Sequence, residues 1–221
     1  MRRRAMCFID GFNLYHSLDN NLTFKKYKWL DLWSLSEKLM LPNETLVEVF
    51  YFTAYTYWNS ARQMRHSDYV LINENKGCKV ILGKFQEKER FSPVRCSSSC
   101  AANASQGYCG KKFLIHEEKM TDVNIAISIL KACVLGICDA IYLISGDNDL
   151  VPALETVKEL FPKVRIRVIL PINAKAKNLM NTCKKNGFKY QRIKEHHLAS
   201  SQFPNLVVIG NNSYSKPAHW I

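Results

Sequence analysis

The sequence predicts an α/β fold, a three-layer α/β/α sandwich on a parallel sheet. Three observations predict it. Two wholly apolar pentapeptides, residues 5–9 (Ala-Met-Cys-Phe-Ile) and 140–144 (Ala-Ile-Tyr-Leu-Ile), each run into a sharp polar turn. Strands buried on both faces read this way. Helical patterns lie between the strand-like runs, and such alternation implies parallel pairing through crossovers. The chain has 221 residues, 47% of them hydrophobic, enough for one sizeable core.

The elements follow in order. Residues 5–9 form the first strand, ended by Asp10-Gly11. Residues 13–19 and 31–40 read as helices. The run 46–53, rich in Val, Phe and Tyr, is the second strand, and 58–75 is a polar helix carrying Arg62 and Arg65. The turn signal Lys76-Gly77 precedes a third strand at 79–82. From about 90 to 113 the chain is rich in Ser, Ala, Gly and Cys without a usable period, which predicts a Cys-containing loop insertion. Val123, Ala126, Ile127, Leu130, Cys133 and Val134 recur at helical spacing over 122–135. A fourth strand covers 140–144 and ends at Ser145-Gly146. A helix at 149–160, a strand at 164–170, a basic helix at 174–185 and a short edge strand at 188–191 complete the pattern. Residues 1–195 read as one domain with the insertion, and 196–221 as a C-terminal extension without an assigned role. The expected strand order is 3-2-1-4-5 with right-handed crossovers. Strands one and four are then neighbours, and Asp10 meets the Ser145–Asp149 turn at the point where the order reverses.

Lys and Arg total 31 against 19 Asp and Glu, a net charge of +12. That balance favours a polyanionic partner, most often nucleic acid, and says little about fold. No apolar run is long enough to span a bilayer, and the N-terminal run is too short for a signal-peptide core, so a cytoplasmic location is expected. Cys7, Cys133, Cys138 and Cys183 sit in or beside apolar segments, where reduced buried cysteine is the ordinary reading. No P-loop, Gly-x-Gly-x-x-Gly or Ser-His-Asp pattern occurs. Asp10-Gly11-Phe12 also lacks the Asp-x-Asp wanted by a haloacid-dehalogenase phosphatase.

Three distant segments bring acids toward the predicted switch point: Asp10-Gly11-Phe12-Asn13, Glu117-Glu118-Lys119-Met120-Thr121-Asp122, and Ser145-Gly146-Asp147-Asn148-Asp149. Carboxylates crowded together repel one another unless a cation compensates. Magnesium or manganese, which take oxygen ligands, would serve. The local sign runs against the global sign, as a metal-dependent enzyme acting on a phosphate chain requires. Each acid also has an ordinary structural explanation: Asp147 and Asp149 as turn and cap residues, Asp122 as a helix cap, Asp10 as a loop residue. Asn13 reads equally as an orienting residue or a cap.

Phe-Ile-Asp-Gly-Phe-Asn-Leu, Glu-Glu-Lys-x-x-Asp-Val-Asn-Ile-Ala and Leu-Ile-Ser-Gly-Asp-Asn-Asp-Leu-Val-Pro-Ala-Leu resemble, in order, the motifs of the LabA-like branch of NYN domains, in the PIN-like nuclease superfamily. The resemblance covers about residues 5–195. It implies acidic metal ligands at Asp10, Asp122, Asp147 and Asp149, with Asn13 matching the family's Asn. It further implies hydrolysis of RNA by a magnesium- or manganese-dependent endoribonuclease. The rival reading is a non-catalytic RNA-binding or regulatory module. Candidate RNA contacts are Arg62, Arg65, Lys119, Lys175 and Lys177, flanking the acids. Single-stranded RNA is the expected partner, with a homo-oligomer or a regulatory protein as further options. Cys96, Cys100, Cys109 and His116 have a spacing that leaves two readings open, a zinc-stapled loop or free thiols.

Overall fold

The computed structural model describes residues 2–91 and 109–220. Along the chain run β1 (Arg3–Asp10), α1 (Gly11–Asp19), α2 (Leu32–Leu39), β2 (Glu44–Thr53), α3 (Ser60–Asn75), β3 (Lys79–Leu82), β4 (Lys84–Phe91) and β5 (Lys112–Lys119). Then come α4 (Thr121–Val134), β6 (Ala140–Ile144), α5 (Val151–Leu160), β7 (Arg165–Leu170), α6 (Lys177–Asn186), β8 (Lys189–Arg192), α7 (Glu195–Ser200), β9 (Leu206–Ile209) and β10 (Asn212–Ser215).

Six strands form one sheet in the order β3-β2-β1-β6-β7-β8, every pair parallel. Counted within that sheet alone the order reads 3-2-1-4-5-6, the expected arrangement extended by the edge strand. The labels differ because β4 and β5 intervene in sequence and stand outside the sheet as an antiparallel hairpin. That hairpin brackets the expected insertion at about 90–113, overlapping only its two ends. The rest of the predicted insertion, with Cys96 and Cys100, lies outside the described residues.

Alternation along β1 divides the core in two. Ala5, Cys7 and Ile9 pack under α1, α2 and α3, while Met6 and Phe8 pack under α4, α5 and α6. The segment after 195 completes the first of these layers. Leu198, Phe203 and Trp220 are buried in it, with Trp29 edge-on to Phe203 at 6.1 Å and tilted to Trp220 at 6.1 Å. Among the described residues, no helix is long and apolar enough to cross a membrane.

Candidate active site

β1 and β6 are neighbours, with Ile9 paired to Ile144, so the residues after them emerge side by side at the carboxyl edge of the sheet. Asp10 caps α1 and accepts a hydrogen bond from the Asn13 backbone N–H at 3.0 Å. The turn is tight: a Cβ on Gly11 would lie 2.5 Å from the Phe52 carbonyl oxygen and 2.7 Å from the Tyr51 ring. Only glycine fits there.

Asp10 is 2% exposed, and its carboxylate is fully engaged. Its Oδ2 accepts from the Asn13 carboxamide at 2.7 Å and from the Ser145 hydroxyl at 2.8 Å. The Asn13 Oδ1 in turn accepts from the Gly146 N–H at 3.2 Å. The Ser145 Oγ accepts from the Asp147 N–H at 3.0 Å, and the Asp147 Oδ1 accepts from the Asp149 N–H at 3.0 Å. One connected network therefore fixes the 145–149 loop against β1, and Asp10 is its buried anchor.

The third segment arrives from the hairpin. Met120 adopts a left-handed conformation, φ +80°, just before α4. This conformation costs a non-glycine residue free energy and is usually held by its surroundings. Here the Glu118 side chain accepts from both the backbone N–H and the hydroxyl of Thr121, capping the helix in place of Met120. Asp122, one residue on, is thereby released from capping and turned toward the loop.

Single carboxylate oxygens of Asp122, Asp147 and Asp149 lie within 4.8 Å of one another. Burial, and then the negative charges of Asp10, Asp147, Glu118 and Asp149, push the Asp122 carboxyl up to about 6. Asp10 is also raised, by burial above all, against the opposing hydrogen bonds from Asn13 and Ser145. Among the described residues, no Lys, Arg or His nitrogen comes within 4.0 Å of any of these four acids. Two partly buried oxygen donors, from Asp122 and Asp147, and an exposed third, from Asp149, fit a hard divalent cation where no protein counter-charge lies within reach among the described residues.

The remaining expected residues lie on several separate elements. Arg62 and Arg65 lie on the first turns of α3. Lys175 sits between Ala174 and Ala176, both of which abut Gly146, and Lys177 opens α6. Lys119 ends β5, with its ammonium 3.0 Å from Glu117. His116 stacks on Trp58 at 3.6 Å, and Cys109 is a half-buried free thiol. Glu118 gains a defined place that its sequence position alone did not give. No standard capping signature marks it, since a capping box places its Glu three residues after the Ser or Thr and not before.

Residues 4–188 match the family model of the NYN domain. The chain belongs to the NYN domain family. NYN domains are a PIN-like nuclease family, and the parallel α/β/α sheet is the fold expected of it. This NYN protein is also 24% identical to 6-hydroxy-3-succinoylpyridine 3-monooxygenase HspA of Pseudomonas putida, over 98% of this chain and 75% of that one. A crystal structure of a protein of unknown function from Vibrio parahaemolyticus shares its fold, with a TM-score of 0.53 and 13% identity. The match covers 88% of this chain and 94% of that one.

Proposed function

We propose that this NYN protein is a metal-dependent endoribonuclease of the LabA-like branch. The observation that carries the reading is the convergence of Asp122, Asp147 and Asp149 above the buried Asp10, without a counter-charge, in a chain of net charge +12. Asp122, Asp147 and Asp149 would hold magnesium or manganese, with Asp10 and Asn13 fixing the frame behind them. Bound there, the ion would lower the pKa of a water and polarise a phosphate, several kcal/mol of barrier reduction by general experience.

The chain's own residues do the rest. Asp10 orients Asn13 and Ser145, and Ser145 holds the Asp147 N–H so that the third acid faces the pit. Arg62 and Arg65 on one flank, with Lys175 and Lys177 on the other, would track the phosphate backbone. Hydrolysis by water would leave a 5′-phosphate and a 3′-hydroxyl.

Cleavage of a labelled single-stranded RNA with manganese tests the reading. Asp10→Asn and Asp147→Asn should each lose more than about 100-fold in rate while remaining folded. Undiminished cleavage in both would remove the proposal. RNA bound but never cut, with or without metal, would make the protein a binding or regulatory module. The likeness to HspA supports a rival reading, oxygenation of a pyridine compound. RNA cleavage that tracks the aspartates decides against it.

A further inference from the structure

A continuous set of aromatic rings leads away from the acidic pit along the base of the β4–β5 hairpin. Phe12 immediately precedes Asn13, the residue tied to Asp10 and Gly146. The Phe12 ring meets Phe85 of β4 edge-on at 5.5 Å, and Phe85 meets Trp58 edge-on at 4.8 Å. Trp58 stacks on His116 of β5 at 3.6 Å, and Tyr57 closes the set edge-on against Trp58 at 5.1 Å. The inner rings dock the hairpin on the body. The outer two do not share that burial: Tyr57 is 51% and Trp58 40% exposed.

Adjacent large rings left half in water, at the end of a ring set that starts beside Asn13, offer apolar faces to a ligand. The loop that carries them follows β2 at the same carboxyl edge of the sheet as Asp10. A few residues later come Arg62 and Arg65, neither within 4.0 Å of an acid among the described residues. Exposed ring faces beside unpaired guanidinium groups match the two parts of a single strand, its unstacked bases and its phosphates. A duplex keeps its bases inside the stack and offers nothing to such rings.

We propose that Tyr57 and Trp58, braced by Phe85 and His116, form a base-stacking platform that admits unpaired nucleic acid to the aspartate pit and disfavours duplexes. This deepens the nuclease reading by naming what selects its substrate, and it rests on that reading for the position of the cut.

The test separates the two. Binding of a fluorescently labelled 10-mer oligouridylate, and of a 10-base-pair RNA duplex, is measured by anisotropy on the full-length Asp147→Asn chain in EDTA, where cleavage plays no part. Added Tyr57→Ala or Trp58→Ala should weaken single-strand binding about 5- to 100-fold. Duplex binding should hold, and Trp58→Phe should retain most of the parent affinity. Trp58→Ala also removes a hairpin contact, so Tyr57→Ala, whose ring is the more exposed, carries the decision, with its melting temperature checked against the parent. Single-strand affinity unchanged in Tyr57→Ala and Trp58→Ala, or equal losses for single strand and duplex, would overturn the platform. Ring-dependent binding in a wild-type protein that cuts no RNA would keep the platform and refute the nuclease.

Discussion

Asp10 shows how one side chain serves structure and chemistry together. At 2% exposure, its carboxylate would be prohibitively costly without partners, and Asn13 and Ser145 supply them. Ser145→Ala removes one donor from Asp10 and the acceptor of the Asp147 N–H. It should destabilise the fold by about 1–3 kcal/mol. It should also slow cleavage about 10- to 100-fold, as loss of outer-shell support does elsewhere; thermal melting and the RNA assay read the two effects. Asp122 is shifted in the same direction as Asp10. Its carboxyl is raised to about 6, so it stabilises the metal-free fold only when protonated, and that contribution is lost as pH rises through about 6. Asp122→Asn should therefore stabilise the metal-free protein at pH 7, by roughly 1 kcal/mol once solvent screening of this partly exposed group is allowed for, while abolishing cleavage. Melting curves at pH 4 and pH 7 check the sign. The four aspartates and Asn13 were legible in the sequence because residue type and turn position mark them. That Asp10 lies beneath the other three was not, because it depends on which partners the fold places beside its oxygens.

At the scale of elements, two turns aim the site. Gly11 lets the chain leave β1 past the Phe52 carbonyl, and Gly11→Ala would drive a Cβ into backbone. It should destabilise by several kcal/mol and shift the α1 entry that carries Asn13, on the order of other severe overpacking changes. Met120 is the reverse case. Its left-handed φ of +80° suits glycine, so Met120→Gly should stabilise by up to about 1 kcal/mol and leave the acids in place; chemical denaturation measures it. The long apolar strands β1 and β6 were legible because burial on both faces leaves no polar alternation. The hairpin was not legible, for the complementary reason. Lys84-Phe85-Gln86-Glu87-Lys88-Glu89-Arg90-Phe91 is mostly charged, and its strand form comes from pairing with β5 and from Phe85 docking between Phe12 and Trp58. Neither leaves a period of two in hydropathy.

Across the whole molecule, the meeting of β1 and β6 was legible through the expected doubly wound order, in which the first and fourth strands of the sheet are neighbours. The role of the last residues was not, since Phe203 and Trp220 are ordinary apolar residues until Trp29 and Tyr69 are seen against them. Trp220→Ala should cost about 3–5 kcal/mol, read as a lowered melting temperature. The account depends most on the claim that the acids gather to hold a cation. Isothermal titration of manganese into the metal-free protein at neutral pH tests it most directly. Saturable binding in the wild type, lost in both Asp122→Asn and Asp147→Asn while their far-ultraviolet spectra match the parent, is the predicted result. Binding of equal strength in all three proteins, or none in the wild type, would contradict it.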